Sequence, residues 1–369
     1  MKKNILNHAH KQHARTRART VEMVSVLRSQ EKNTSDYGKI LPDIVAFFPE
    51  ASYNEHNRTP RTSPRFRVMC PRGDIFICGD SAMAIQMKEP TTYTEQLAKL
   101  KERGCVIENG SACCEVLEAV NYYRLSAYFL PFKGVDQRYK DGTTFSKVYR
   151  IYEFDRKLRG ILFSAVEEVE IFLRSRFAYY HAHKYGATGY LDSSNYSDRH
   201  NAEKFNRTLQ REIENNKKVL FVKHHLEKYG GVFPIWAVVE LFTFGMLSYF
   251  YADMITQDKK QLAEGLYQTT PKNLTSWLRC CTDLRNVCAH YGRLYYRIFP
   301  AIPAGLDLKD AAKRRLWGAV LVLKSLYPNV SKWNSEVLPS VHALFDEYAE
   351  DIDLYHMAFP ADWLERLRK

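Results

Sequence analysis

A chain of 369 residues, 45% hydrophobic and 26% charged, is long enough to bury a core and too apolar for a disordered polyampholyte. Its net charge of +12 favours polyanionic partners, nucleic acid or an anionic membrane surface, over basic ones. Eight cysteines include the adjacent pairs Cys113–Cys114 and Cys280–Cys281 but no C-x-x-C spacing, so reduced, buried thiols are expected, with no metal and no cofactor.

The opening stretch "MKKNILNHAHKQHARTRART" is basic but has no apolar core before a small-residue cleavage site, which argues against a secretory signal. Residues 1–86 carry 14 Lys/Arg against 8 Asp/Glu, half of the chain's excess charge, and lack sustained apolar periodicity. A low-order basic extension is expected there, with a short helix around Arg17–Arg28 at most. Two readings of it stand side by side. In one the extension is dispensable and translation starts at Met87; in the other it is a basic arm that holds RNA.

From residue 87 to 369 the pattern is that of one all-α domain. "EPTTYTEQLAKLKERG" predicts a helix with Thr94 as its N-cap, Leu97 and Leu100 on its inner face and Gly104 as its stop. Residues 111–132 continue with apolar positions at 113, 116, 117 and 120. After a turn at Asp141-Gly142, a helical period runs from Phe145 to Tyr185 through Val148, Ile151, Phe154, Leu158, Leu162, Ala165 and Val169, closed by Gly186. Residues 198–231 read as a charged, solvated helix and loop. Further helices are expected over 273–297, 310–327 and 335–350.

The segment "VFPIWAVVELFTFGMLSYFYA" (232–252) has the length of a membrane span. Glu240 near its middle would cost roughly 2.5–3.5 kcal/mol in a bilayer. A buried core helix over 234–251 is therefore the expectation, and no membrane association.

The candidate site is "LRNVCAHYGRLYYR" (284–297). Leu274, Trp277, Leu278, Cys281, Leu284, Cys288 and Tyr291 predict the core face of that helix. Asn286 and His290, four apart, are neighbours on another face. Arg285 sits about 140° round from His290 and reaches it only through a long side chain. These residue types suit RNA cleavage without a metal. A histidine moves a proton at neutral pH, an arginine holds phosphate while charge builds, and the 2′-hydroxyl of RNA is the nucleophile. A solvated helix face explains the same pattern. The spacing also recurs at Arg176 and His181, where aromatic surroundings suggest core.

The segment resembles the signature of the HEPN superfamily, arginine–four residues–histidine with asparagine after the arginine. More narrowly, "PTTYTEQLAKLKERG", "NYYRLSAYFLPF", "GTTFSKVYRIYEFDRKLR", "EEVEIFLRS", "PIWAVVELFTFGMLSYFY" and "DLRNVCAHYGRLYYR", in that order over about residues 88–300, resemble the Abi family of AbiD/AbiF-type abortive-infection proteins. The resemblance implies an all-α HEPN-like fold, a cytoplasmic role in phage defence, and a metal-independent endoribonuclease that is toxic when released. It implies Arg285, Asn286 and His290 as catalytic, Glu170 and Arg174 as supporting residues, and Tyr291 and Arg293 beside them. RNA is the implied substrate, an inhibitory RNA or protein antitoxin the implied partner, and a homodimer the implied assembly. Ala127 stands where glycine is usual, and Tyr291 where a second histidine is frequent. A non-catalytic RNA-binding or protein-interaction module is the competing reading, and a membrane-acting effector the third.

Overall fold

In the computed structural model, which describes residues 88–368 and the backbone of 67–69 and 75–77, the fold is built on one long helix. A hairpin pairs β1 (Arg67–Met69) antiparallel with β2 (Ile75–Ile77), Arg67 opposite Ile77. It occupies part of the stretch expected to have little order. The remaining calls on residues 1–86, namely the helix at 17–28, the RNA arm and the start at Met87, lie outside the described residues.

In chain order the helices are α1 (Tyr93–Glu102), α2 (Gly110–Ala119), α3 (Tyr122–Phe129), α4 (Phe145–Tyr185), α5 (Ala202–Asn215), α6 (Leu220–Lys228) and α7 (Ile235–Val238). They continue with α8 (Phe244–Asp253), α9 (Thr256–Tyr267), α10 (Pro271–Ala289), α11 (Asp310–Lys313), α12 (Leu316–Leu326), α13 (Val330–Lys332), α14 (Leu338–Glu347) and α15 (Trp363–Leu367). The class is all-α, as the periodicity predicts.

Helix α4 has 41 residues and so spans about 60 Å. Thr144 caps it by accepting from the Lys147 amide, and Gly186 ends it at φ 79°, a conformation that side chains resist. Between these signals there is no proline, and Val148, Ile151, Phe154, Leu158, Leu162, Val169, Leu173 and Phe177 are all buried. Helix α10 packs on α4 and also on α8 and α12, which is why Cys280 and Val287 are buried beside the predicted Leu274, Trp277, Leu278, Cys281, Leu284 and Cys288. Helices α3 and α14 cover other parts of α4.

Several boundaries differ from the sequence expectation, each for a local reason. Thr92, not Thr94, caps α1, because its hydroxyl accepts from the Glu95 amide while Glu95 reaches back to the Thr92 amide at 2.7 Å. The run 111–132 breaks into α2 and α3 where Val120 turns extended and Asn121 caps the next helix from Oδ1 to the Tyr123 amide, 2.8 Å. The expected helix over 234–251 is two pieces. Phe242 is extended and Thr243 caps α8 through the Met246 amide. Among the described residues no helix is long and apolar enough to cross a membrane. The run 310–327 splits into α11 and α12, and 335–350 begins inside a π turn at Trp333–Val337 that leads into α14.

The second Arg/His pair is resolved by this packing. His181 is 1% exposed, enclosed by the rings of Tyr185, Tyr196 and Phe250, while Arg176 is on the surface. Neither ring nitrogen of His181 has a hydrogen-bond partner among the described residues, and burial holds its pKa down at about 4. An unfolded histidine titrates near 6.5. Between those two values the unfolded chain binds a proton that the folded chain refuses, so this group subtracts stability as pH falls from 6.5 toward 4, by about 3 kcal/mol at the acid end. His181→Leu is accordingly expected to flatten the fall in melting temperature between neutral pH and pH 4.5, read by thermal melts of both proteins across that window. Parallel curves would show that His181 carries none of the acid sensitivity.

Candidate functional site

Thr270 and Pro271 start α10, the hydroxyl accepting from the Asn273 amide and the proline occupying the first turn where its missing N–H is harmless. The helix stops at Ala289, and His290 is its C-cap rather than an interior residue. Tyr291 then adopts the left-handed conformation, φ 58°, and two bonds close the end: the Tyr291 amide to the Cys288 carbonyl, 3.2 Å, and the Gly292 amide to the Val287 carbonyl, 2.8 Å. This is the paired closure usually made with glycine in the left-handed position. A side chain on Gly292 would stand 3.1 Å from Val287 Cγ1 and 3.3 Å from the Val287 carbonyl oxygen, so glycine suits the close approach one residue later. The helix predicted over 273–297 is thus shortened, and Tyr291, 67% exposed, leaves the core face to which it was assigned.

The chain beyond the turn is gripped by α3 and α4. Asp155, fully buried, accepts from the Leu294 amide at 3.0 Å, the Tyr295 amide at 2.8 Å and the Tyr128 hydroxyl at 2.7 Å, and is paired with Arg159. Burial pushes its pKa up; the Arg159 charge and then the donated hydrogen bonds oppose that rise. Arg159 also donates to the Gly292 carbonyl, 3.1 Å, and Arg124 to the Tyr291 carbonyl, 2.8 Å. Arg293 donates to the Ala127 carbonyl, with the rings of Tyr128 and Tyr296 within 5.8 and 5.9 Å. Desolvation depresses its pKa. Arg293 therefore anchors the exit strand and is not gathered with Arg285.

Arg285 is held from the other side of the turn. Its Nε lies 3.6 Å from Glu170 Oε2, and the side chain is 29% exposed. Glu170 in turn accepts from Arg174 at 2.7 Å through its other oxygen. Arg174 donates to the Phe242 carbonyl at 2.7 Å and pairs with Glu240 at 3.5 Å. The order Glu240–Arg174–Glu170–Arg285 is a line of alternating charges drawn from α4, α10 and the turn before α8. Asn286 is half-buried and His290 exposed. Among the described residues neither side chain is hydrogen-bonded, to the other or to Arg285. The structure thus brings Arg285, Glu170 and Arg174 into one network and leaves the Asn286 amide and His290 imidazole available beside the helix end.

Sequence reading missed Asp155, Arg159, Arg124 and Glu240. Asp155 and Arg159 had a usable signal: they are four apart and interleave with Phe154 and Leu158 on an otherwise apolar face. Among the described residues no group of three His, Cys, Asp or Glu is placed to hold a metal ion. Removing Asp155 would strand Arg159 and two backbone amides in the core. Asp155→Ala is therefore expected to lower unfolding stability by about 3–5 kcal/mol, measured by denaturant titration. A loss below about 1 kcal/mol would mean that the exit strand is held by other contacts.

With this geometry in hand, the comparisons are informative at the family level. No curated protein and no solved structure matches the chain. Residues 115–296 match the family described as Abi-like protein. That segment runs from α2 to just past the two amides that Asp155 holds, and includes every residue of the two networks above. The match supports the role in abortive infection, a form of phage defence, that the sequence resemblance implied; the chain belongs to the Abi-like family.

Proposed function

We propose that this protein is a HEPN-type, metal-independent endoribonuclease acting in phage defence, with Arg285, Asn286 and His290 as its reacting group. The observation that carries the reading is the pairing of a fixed cation with a free imidazole at one helix end. Arg285 lies 3.6 Å from Glu170, and His290, the C-cap, is exposed to solvent. An unpaired imidazole is available to exchange a proton with substrate.

In the proposed reaction the 2′-oxygen forms a bond to the adjacent phosphorus and the bond from phosphorus to the 5′-oxygen breaks. The 2′-proton passes to a base and the departing 5′-oxygen takes up a proton, giving a cyclic phosphate and a 5′-hydroxyl. His290 is the proton-transfer group. Arg285 steadies the phosphate oxygens with its Nη donors while Nε faces Glu170, and Asn286 hydrogen-bonds to hold the phosphate or ribose. Glu170 and Arg174 position Arg285, and Tyr291 holds the turn that releases His290.

One imidazole cannot be base and acid in the same step, so a second copy of the chain supplies the other across a two-fold axis. An RNA or protein antitoxin is the class of partner that would silence such an enzyme in uninfected cells. The absence of any group orienting the His290 ring, among the described residues, favours a second reading, a HEPN module that binds RNA or protein without cleaving.

Purified protein incubated with total RNA in excess EDTA separates these readings. Cleavage is expected to persist in chelator, and His290→Ala to reduce it by about 10²–10⁴-fold with helical circular dichroism unchanged. Arg285→Ala is expected to lose activity to a similar degree. RNA binding without any cleavage by the wild type would leave only the second reading, and EDTA-sensitive cleavage would overturn the mechanism. Light scattering is expected to report a dimer; a fully active monomer would rule out the shared site.

A further inference from the structure

Between the C-terminal part of α4 and α9 runs a groove of about 580 Å³, lined by Arg176, Tyr179, His183 and Lys184 on one side and Gln257, Gln261 and Gly265 on the other. From the geometry of this groove we infer that it is a second RNA contact, a docking site for one nucleotide of single-stranded RNA outside the Arg285/His290 site. The inference rests on RNA being the substrate.

The lining chemistry carries it. Arg176 is exposed, and among the described residues it has neither a hydrogen bond nor an ion pair, unlike Arg174 two residues earlier. No aspartate or glutamate lines the groove. Lys184, the other cation, is paired with Asp258, so Arg176 is the charge left to meet a phosphate. Tyr179 is 61% exposed, and one side of its ring is covered by His183, ring centroids 3.9 Å apart. His183 is fixed there by its Nδ1 contact to the Tyr179 carbonyl at 2.8 Å. At 61% exposure the ring leaves surface on which a base can stack.

Polar groups on α9 complete the set. Gln257, Gln261 and Gly265 recur at four-residue steps and so form one ridge. Gln261 accepts from the Tyr180 hydroxyl at 2.5 Å through Oε1, which leaves its Nε2 hydrogens to donate. Gln257 makes no side-chain hydrogen bond among the described residues. A free amide beside an aromatic face is what reading a base edge requires.

Gly265 is the independent observation. It lies inside α9, where glycine is less favourable than any residue but proline, and its φ is not one that demands glycine. A Cβ there would meet nothing within 4 Å. Neither backbone nor packing accounts for it. What the missing side chain preserves is open width in the groove, which Leu262 and Leu266 also line. Arg176 is six residues from Glu170 on α4, about 9 Å along the axis and about 120° round it.

The test uses the full chain carrying His290→Ala, which separates binding from turnover, and a fluorescein-labelled oligouridylate read by anisotropy. Arg176→Ala, Tyr179→Ala and Gly265→Gln are each expected to weaken binding about tenfold. Arg176→Ala is also expected to lower the log–log salt slope by about 0.7 between about 50 and 200 mM salt. Gly265→Gln replaces glycine in open space, so its melting temperature should not fall and its effect reports occupancy of the groove. In the His290-intact protein the same three changes should raise KM and leave kcat in place. Unchanged affinity and salt slope in all three, alongside a wild type that cleaves RNA, would overturn the groove and leave the cleavage site standing. A wild type that neither binds nor cleaves RNA would overturn both.

Discussion

The end of α10 is defined by one buried carboxylate. Asp155 takes two backbone amides, a tyrosine hydroxyl and a guanidinium into a site from which water is excluded. A strand leaving a helix across the flank of α4 brings its N–H groups into the core, where leaving them unpaired is expensive. Asp155 satisfies them, and Arg159 offsets its charge while holding the Gly292 carbonyl. With that strand fixed, the left-handed Tyr291 and the abrupt stop at Ala289 are over-determined by their surroundings. That is the condition under which a non-glycine residue persists at positive φ.

A second hold on α10 lies 15 residues further along α4, about 22 Å away, where Glu170 meets Arg285. Its side chains are 29% and 11% exposed, and at 3.6 Å the contact is an ion pair without a hydrogen bond. Its effect is directional. The guanidinium is aimed by a carboxylate that is itself aimed by Arg174, the Phe242 carbonyl and Glu240. The line of four alternating charges has no net charge. In the proposed reaction a phosphate arriving at Arg285 would meet a field already partly neutralised by Glu170, and its attraction would have to come from cations elsewhere on a chain of net charge +12. Arg176, in the proposed groove further along the same helix, would supply one such cation.

How much of this was legible in the sequence follows from where the information is local. The span of α4 could be read to the residue, since its cap, its stop and its uninterrupted period are all written in neighbouring residues. The break at Thr243 could not, because an apolar run hides a threonine cap. Tyr291 misled because it continues the three-residue step from Cys288, and aromatic side chains seldom end helices in the left-handed conformation. Arg285 and His290 could be selected by motif and residue type. Their supports could not: Asp155 reaches residues 139 and 140 positions away, and Glu240 reads as an obstacle to membrane insertion instead of a partner for Arg174.

The two Arg/His pairs with equal spacing end in different surroundings. Five residues on a continuous helix turn through about 140°, so two such side chains on a helix packed along one side are driven to opposite fates. In α4 that is the outcome, with Arg176 in solvent and His181 sealed among aromatic rings. In α10 the helix ends between the members of the pair. Arg285 keeps its helical direction toward Glu170, while His290, the C-cap whose amide still donates to the Asn286 carbonyl at 3.0 Å, stands exposed where the helix ends. The interval alone is neutral; in α10 the helix stop built by Tyr291 and Gly292, and held by Asp155, comes directly after the histidine, which stands exposed at the helix end while Arg285 stays against Glu170.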